Sequence, residues 1–338
     1  MIPVAVVGYG GAFNMGRQHL REMRAAGMEP TAVCDLDRER LKVARQEFPG
    51  IKTYTRLSDM LRRTDVQLVT VITPHDTHAD LALRCLKAGR SVVIEKPMTI
   101  TTVQCNRLID ESRRQGVLLS TYHNRHWDGH ILEALDHIGA GEIGDVYRIE
   151  CHMGGFAQPG TWWRSNRKVS GGILYDWGVH LLEYALQILH PSELVEVSGY
   201  AKTGFWANTL PFPEDANEDE AQLTARFADG RWLSLNVSQL DHHSKGDRGV
   251  LEISGTRGTY IMNFDRWSIR NRDGDALTVR EGRNRPGEGH KFYENIAGAL
   301  AGTAELVITP EWARRPVHIL DLAVRSAAEG RAQTARHH

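Results

Sequence analysis

The chain has 338 residues, 41% of them hydrophobic and 25% charged, with 41 Lys and Arg against 42 Asp and Glu for a formal net charge of −1. That length suggests two domains and suffices for a sizeable core. The charge balance excludes an electrostatic basis for binding nucleic acid or an anionic membrane, no apolar run approaches the roughly 20 residues of a membrane span, and no basic leader precedes the first apolar run. Cys34, Cys85, Cys105 and Cys151 are scattered without close pairing, so a reduced, cytoplasmic protein with free thiols is expected.

The first 125 residues alternate short apolar runs with helical stretches. "PVAVVG" reads as a buried strand ending in glycine, and a helix is expected from Met15 to Ala26. "TAVCDLD" is a second strand and "RERLKVARQEF" a second helix. "VQLVTVIT" is the next strand, followed by a helix over "HADLALRCLKAG" that stops at Gly89. "SVVIEKP" is a strand, "TTVQCNRLIDESRRQG" a helix ending at Gly116, and "VLLSTYH" one more strand. Strands alternating with helices of this length imply crossover units and a parallel, doubly wound α/β sheet.

Gly8 and Gly10 sit at the first strand-to-helix turn. A stretch without β-carbons there lets backbone N–H groups and a helix N-terminus approach a pyrophosphate, although an ordinary tight turn uses glycine as well. Asp35 closes the next strand, where a carboxylate accepts hydrogen bonds from an adenosine ribose and repels a 2′-phosphate. The combination predicts a dinucleotide, NAD in preference to NADP, with Arg38 close enough in sequence to offset the preference in part. Gly16 follows Gly8 by eight residues, where the fingerprint expects five. The loop is therefore longer by about three residues. Gly11, Ala12, Phe13 and Asn14 fall within it, and Asn14 suits a helix N-cap.

Beyond "NRHWDG" the pattern changes. "DVYRIECHM" alternates, with Tyr147, Ile149, Cys151 and Met153 on one face. "AQLTARFADGRWLSLNV" reads as two strands joined at Asp229-Gly230; "VLEISGTRGTYIMNF" turns at Gly255 to Gly258 and "RWSIRNRDGDALTVRE" at Asp273-Gly274. Such hairpins imply a large open, mostly antiparallel sheet with one face toward helices. "PEDANEDE" reads as a solvated loop. "FYENIAGAL" and "PVHILDLAVRSAAEG" close the chain as helices, the last starting at Pro316. The expected division is a dinucleotide-binding domain over 1–124 and an α+β substrate-binding and oligomerisation domain over 125–330, whose last helix could return to the first.

Two stretches carry chemistry. "IEKP" places Glu95, Lys96 and Pro97 at the carboxyl end of a parallel strand, where doubly wound folds bind ligands. A lysine locked by proline is held on rigid backbone, as a catalytic cation must be. "SGGILYDWGVH" sets Asp176 and His180 four apart in an apolar segment. On a helix they would share one face, either as a cap and a satisfied core histidine or as a proton-handling pair beside a substrate.

Gly8-x-Gly10, Asp35, "TPHDTHAD", "EKP", "YHNRHWD", Trp163-Arg164 and Gly171-Gly172 through His180 together resemble the Gfo/Idh/MocA oxidoreductase family, over nearly the whole chain. The resemblance implies a Rossmann domain for NAD or NADP, and a second domain whose open sheet forms the contact of a homodimer or homotetramer. It implies a catalytic trio of Lys96, Asp176 and His180. When an alcohol carbon loses hydride its hydroxyl loses a proton; His180 is the base, Lys96 polarises the oxygen, and Asp176 orients the substrate or the lysine and raises the pKa of the histidine. Thr73, Pro74, His78 and Glu95 are expected beside the cofactor. Tyr122, Asn124 and Arg125 are expected to line the substrate cleft. Trp163 and Arg164, with Trp162, would meet a sugar, though the indoles could equally pack a seam. The implied substrate is a sugar, polyol or related saccharide, with neither nucleic acid nor membrane as a partner. Glycosidases that use bound NAD in a transient oxidation, elimination and re-reduction share these residues and form the alternative. His75 with His78, and His126 with His130, stand at ligand-like spacings, but without HExxH, CxxC or a matched acid no metal is expected.

Overall fold

A computed structural model describes residues 1–11, 14–243 and 248–335. Two compact units divide the chain: Met1–Asn124 with His290–Val317, and Arg125–Gly289 with the residues from His318 on.

In the first unit the chain runs β1 (Pro3–Val7), α1 (Met15–Ala25), β2 (Glu29–Cys34), α2 (Arg38–Glu47), β3 (Lys52–Tyr54), α3 (Leu57–Arg63), β4 (Leu68–Val71), α4 (His75–Lys87), β5 (Ser91–Ile94), α5 (Thr102–Gln115) and β6 (Leu119–Thr121). The six strands pair in the order β3-β2-β1-β4-β5-β6, all parallel. β4 and β5 are buried at every position and β1 at all but its first, because helices cover both faces. The order reverses between β1 and β4, the switch point at which such sheets bind ligands. β3 and α3 are absent from the sequence reading: a three-residue edge strand and a seven-residue helix are too short to show a period.

The second unit holds α6 (Gly129–Gly139), β7 (Val146–Gly154), α7 (Arg167–Ser170), α8 (Gly178–Leu189), β8 (Leu194–Lys202), β9 (Glu220–Phe227), β10 (Trp232–Ser238), β11 (Leu251–Gly255), β12 (Gly258–Met262), β13 (Arg266–Asp273) and β14 (Ala276–Arg283). Its sheet runs β14-β13-β12-β11-β7-β10-β9-β8. The pairs are antiparallel except β7 with β10, which is parallel. The hairpins turn where the Asp-Gly and Gly-x-x-Gly signals stand. Leu223, Ala225, Leu233 and Leu235 alternate with exposed or half-buried polar residues, so one face is core; α8 packs on β7 and β10 and is buried along nearly its whole length. On β7, Ile149 and Cys151 are buried, whereas Tyr147 near the strand start is 41% exposed.

The chain closes with α9 (Lys291–Leu300), α10 (Pro310–Glu329) and β15 (Gln333–Thr334), which adds an edge to the second sheet beside β8. α9 belongs to the first unit, not the second, because Phe292, Tyr293 and Ile296 are core residues there. α10 starts at Pro310, not at Pro316, which lies inside it. The Thr309 hydroxyl accepts from the Trp312 amide at 3.0 Å and caps the helix ahead of a proline in its first turn. Among the described residues no helix is long and apolar enough to cross a membrane.

Candidate active site

β1, β2, β4 and β5 end at one edge of the first sheet, and their loops carry the expected cofactor residues. The Gly8 amide donates to the Cys34 carbonyl at 2.8 Å, Ile72 to Val7 at 2.8 Å, and Glu95 to Val71 at 2.9 Å. Gly8 and Gly10, Asp35, Thr73 and Pro74, and Glu95 and Lys96 are thereby assembled along that edge. Both Asp35 oxygens accept backbone N–H groups, from Tyr9 and Asp37, each at 2.8 Å, which fixes the carboxylate beside the glycine turn. A Cβ on Gly16 would lie 2.7 Å from the Gly8 carbonyl oxygen and from the Tyr9 Cα. The displaced third glycine therefore still allows close helix–strand packing. Gly11, at φ +104°, has open space around it; Ala12 and Phe13 lie outside the described residues. Asn14 stands at the N-cap position of α1 but in the left-handed region, φ 50°, and its side chain makes no cap hydrogen bond. A glycine-lined turn, a helix N-terminus and a carboxylate at the end of β2 fit the pyrophosphate and ribose of a dinucleotide.

Arg38 is exposed on the first turn of α2. Arg40 instead lies against the turn: a Cβ on Gly10 would collide with its Cδ and guanidinium. Two helical residues point about 200° apart, so only one of these arginines can face the loop, and the sequence does not give the helix phase that selects it.

Lys96 is half-buried, joined to Pro97 by a cis bond, and its amide donates to Glu95 Oε2 at 2.9 Å. Glu95 Oε1 lies 3.1 Å from Nε2 of the fully buried His19, whose Nδ1 lies 2.6 Å from the Tyr293 hydroxyl. Burial pushes the Glu95 carboxyl up, but the His19 hydrogen bond and the Lys96 charge outweigh it and hold the pKa below the usual carboxylate range. Glu95 thereby holds the backbone of Lys96 in place. His78 is enclosed by protein. It is fully buried, with ring nitrogens 2.9 Å from the Pro97 carbonyl and 2.8 Å from the Thr73 carbonyl, and it ties the loops after β4 and β5 together. Its burial holds the imidazole pKa below its ordinary value, against the pull of the two carbonyls. The Thr73 hydroxyl accepts from Thr77 at 2.6 Å, and Pro74 caps α4. Tyr122 is a core residue, not a cleft residue: it is 3% exposed, packs on His19 and Phe292, and donates to Glu22 at 2.5 Å. Asn124, half-buried, ends this stretch of the first unit.

In the second unit Asp176 and His180 do not share a helix. Asp176 lies in the turn between a 3-10 helix, Ile173–Tyr175, and α8, whose cap is Trp177; the His180 and Leu181 amides both donate to the Trp177 carbonyl. His180 is 6% exposed on the first turn of α8, its ring 5.6 Å from that of Trp177. Arg164 donates to Asp176 Oδ1 at 2.5 Å, and its guanidinium lies 5.3 Å from the ring of Trp162 and 5.2 Å from that of Trp163. Arg125 stacks on Trp177 at 5.2 Å and bonds Asp128 at 3.2 Å. His126 pairs with the buried Glu183 at 2.7 Å and His130 packs on Tyr184; among the described residues no group of three ligating side chains could hold a metal.

The acidic stretch is not a solvated loop at its end: Glu218 is 8% and Asp219 2% exposed. Three consecutive side chains there hold three loops. Asn217 donates to the Arg164 carbonyl at 2.7 Å and contacts the Ser170 hydroxyl at 2.9 Å. Glu218 accepts from the Ile173 amide at 2.9 Å, and a Cβ on Gly172, at φ +121°, would lie 2.8 Å from its Oε2. Asp219 accepts from the Phe205 and Trp206 amides at 2.7 and 2.9 Å. A charge run carries no sign of which members turn inward, so these positioning residues escaped the sequence reading.

This arrangement defines a dinucleotide-binding α/β oxidoreductase with a separate α+β unit. The profile for the oxidoreductase family's NAD-binding Rossmann fold matches residues 2–123, and that for the GFO/IDH/MocA C-terminal domain matches 131–261; the chain belongs to the Gfo/Idh/MocA family. It is 31% identical to the rhizopine catabolism protein MocA of Rhizobium meliloti, over 76% of this chain and 78% of that protein. It is 24% identical to the scyllo-inositol 2-dehydrogenase (NADP(+)) IolW of Bacillus subtilis, over 99% and 96%. Its fold superposes on a levoglucosan dehydrogenase in complex with NADH and levoglucosan with a TM-score of 0.83, at 19% identity, covering 98% and 99% of the two chains.

Proposed function

We propose that the chain is an NAD(H)-dependent dehydrogenase or reductase acting at a carbinol carbon of a sugar, polyol or related saccharide. The observation that carries this reading is the Arg164–Asp176 pair set against two indoles, since charged hydrogen-bonding groups framed by flat apolar faces suit a sugar's hydroxyls and C–H surfaces. Kinship with an inositol dehydrogenase and likeness in fold to a levoglucosan dehydrogenase support the substrate class. The nicotinamide, when bound, exchanges the hydride. His180 takes the hydroxyl proton, Lys96 holds and polarises the oxygen, and Asp176, with Arg164, orients the substrate. Asp35 favours NAD: a carboxylate facing a 2′-phosphate costs about 1–3 kcal/mol, roughly 10- to 100-fold in affinity, and Arg40 offsets part of it. We also infer a homodimer or homotetramer built through the second unit's sheet, where Tyr147 and Trp232 are exposed with rings 5.7 Å apart.

The test is a panel of sugars and polyols with NAD and NADP, followed at the absorbance of reduced nicotinamide, with both cofactors titrated by calorimetry. Reduced cofactor should accumulate with product, and NAD should bind more tightly. Equal or tighter NADP binding overturns the cofactor preference. Glycoside cleavage without accumulated reduced cofactor replaces net oxidation with the transient redox cycle.

A further inference from the structure

We propose that a cavity beside the Arg164–Asp176 pair receives a second pyranose ring joined to the one that reacts, so that the substrate is a disaccharide or comparable glycoside. The proposal deepens the dehydrogenase reading and rests on it for where the reacting ring lies.

The cavity measures about 190 Å³ and lies wholly in the second unit, with Trp162, Arg164, Asp176, Trp206 and Gln239 among its lining residues. At about 30 Å³ per water it has room for roughly six waters, the scale of one sugar ring and too small for a nucleotide. Two indoles line it, as flat faces for ring C–H groups. Trp206 is held before any ligand arrives: its amide bonds Asp219, its indole N–H donates to the Gln239 carbonyl at 3.3 Å, and its ring packs on Phe156 and Phe205 at 5.4 and 4.8 Å. An aromatic ordered in advance loses little entropy on stacking. A Cβ on Gly160 would come within 2.8 Å of the Trp162 indole, so the glycine permits that close approach. Asn217 and Asp219 also line the cavity, but their polar atoms bond the protein and shape the wall. The half-buried Gln239 carboxamide makes no hydrogen bond among the described residues and presents both a donor and an acceptor to ring hydroxyls. Two indole faces, one neutral amide and an Arg164 whose charge is already paired with Asp176 suit a sugar ring's C–H surfaces and hydroxyls better than a phosphate or a carboxylate.

The experiment compares kcat/KM with NAD for glucose and galactose against maltose, cellobiose and lactose, and measures binding of the same sugars to the NADH-loaded protein by calorimetry. At least one disaccharide should exceed its monosaccharides about tenfold in both readouts. Trp206→Ala should lower disaccharide binding about tenfold more than monosaccharide binding, Trp206→Phe should restore most of it, and Gln239→Ala should act in the same direction should the tryptophan variant misfold. No preference for any disaccharide, or equal losses for both sugar sizes, overturns the proposal. Trp206-dependent disaccharide binding without turnover upholds the cavity and overturns the dehydrogenase reading; monosaccharide turnover without disaccharide preference does the reverse.

Discussion

Lys96 owes its position to atoms other than its own. Its amide is held by Glu95, Glu95 by His19, and His19 by Tyr293 from far along the chain. Lys96→Ala should lower turnover about 10²-fold, the scale of losing one charge-stabilising group, with dinucleotide affinity nearly intact because the pyrophosphate and ribose residues remain. His180→Ala should cost as much and alter the pH profile of kcat, since a general base is removed. Steady-state kinetics across pH, with calorimetry of NAD, checks both; near-normal turnover with large destabilisation in His180→Ala would mark a core histidine. Glu95 carries its own pH signature. Its carboxyl lies lower in the folded chain than in the unfolded one, so it stabilises the fold above the unfolded value of about 4.3 and loses that contribution as pH falls through the folded value. In urea unfolding, the gap between wild type and Glu95→Gln should be widest near neutrality and narrow as pH falls below the ordinary carboxylate range.

Between the single residue and the fold, the segment 217–219 does the work of a clamp. Its three side chains hold the stretch carrying Arg164, the Gly172–Ile173 turn before Asp176, and the loop of Trp206. Glu218→Ala leaves the Ile173 amide buried without its acceptor, which costs about 1–3 kcal/mol. It should also raise KM more than it lowers kcat, because the turn that presents Asp176 loses its anchor. Glu218→Gln keeps an acceptor oxygen and should restore both values; saccharide kinetics and urea unfolding of the two variants test this. The glycine turn shows the same logic in reverse. Gly16 stands three residues later than the fingerprint places it, yet it still meets the Gly8 carbonyl and the Tyr9 backbone, because α1 starts later by the same amount.

At the scale of the whole molecule, the second unit's sheet buries Leu233 and Leu235 on its helix-covered face, and the exposed Trp232 stands on the other, its ring 5.7 Å from that of the exposed Tyr147. Light scattering at micromolar concentration should give a mass of two or four times 38.0 kDa, and Tyr147→Glu with Trp232→Glu should reduce it; a strict monomer would end the oligomer proposal. Much of the architecture was legible in the sequence alone. Continuous apolar runs marked β1, β4 and β5, Asp-Gly pairs marked hairpins, and Gly8, Asp35 and "EKP" marked the ligand edge, because local periodicity and turn chemistry act within a few residues. What acts across the chain was not legible. Arg40 over Gly10 rather than Arg38, Tyr293 behind His19, the inward turn of Glu218 and Asp219, Tyr122 as core, and Asp176 off the helix of His180 all depend on helix phase and on partners that only packing supplies. A sequence states which side chains need partners, because burying a polar group without one is costly; which partner each receives is decided when distant strands and helices close on one core.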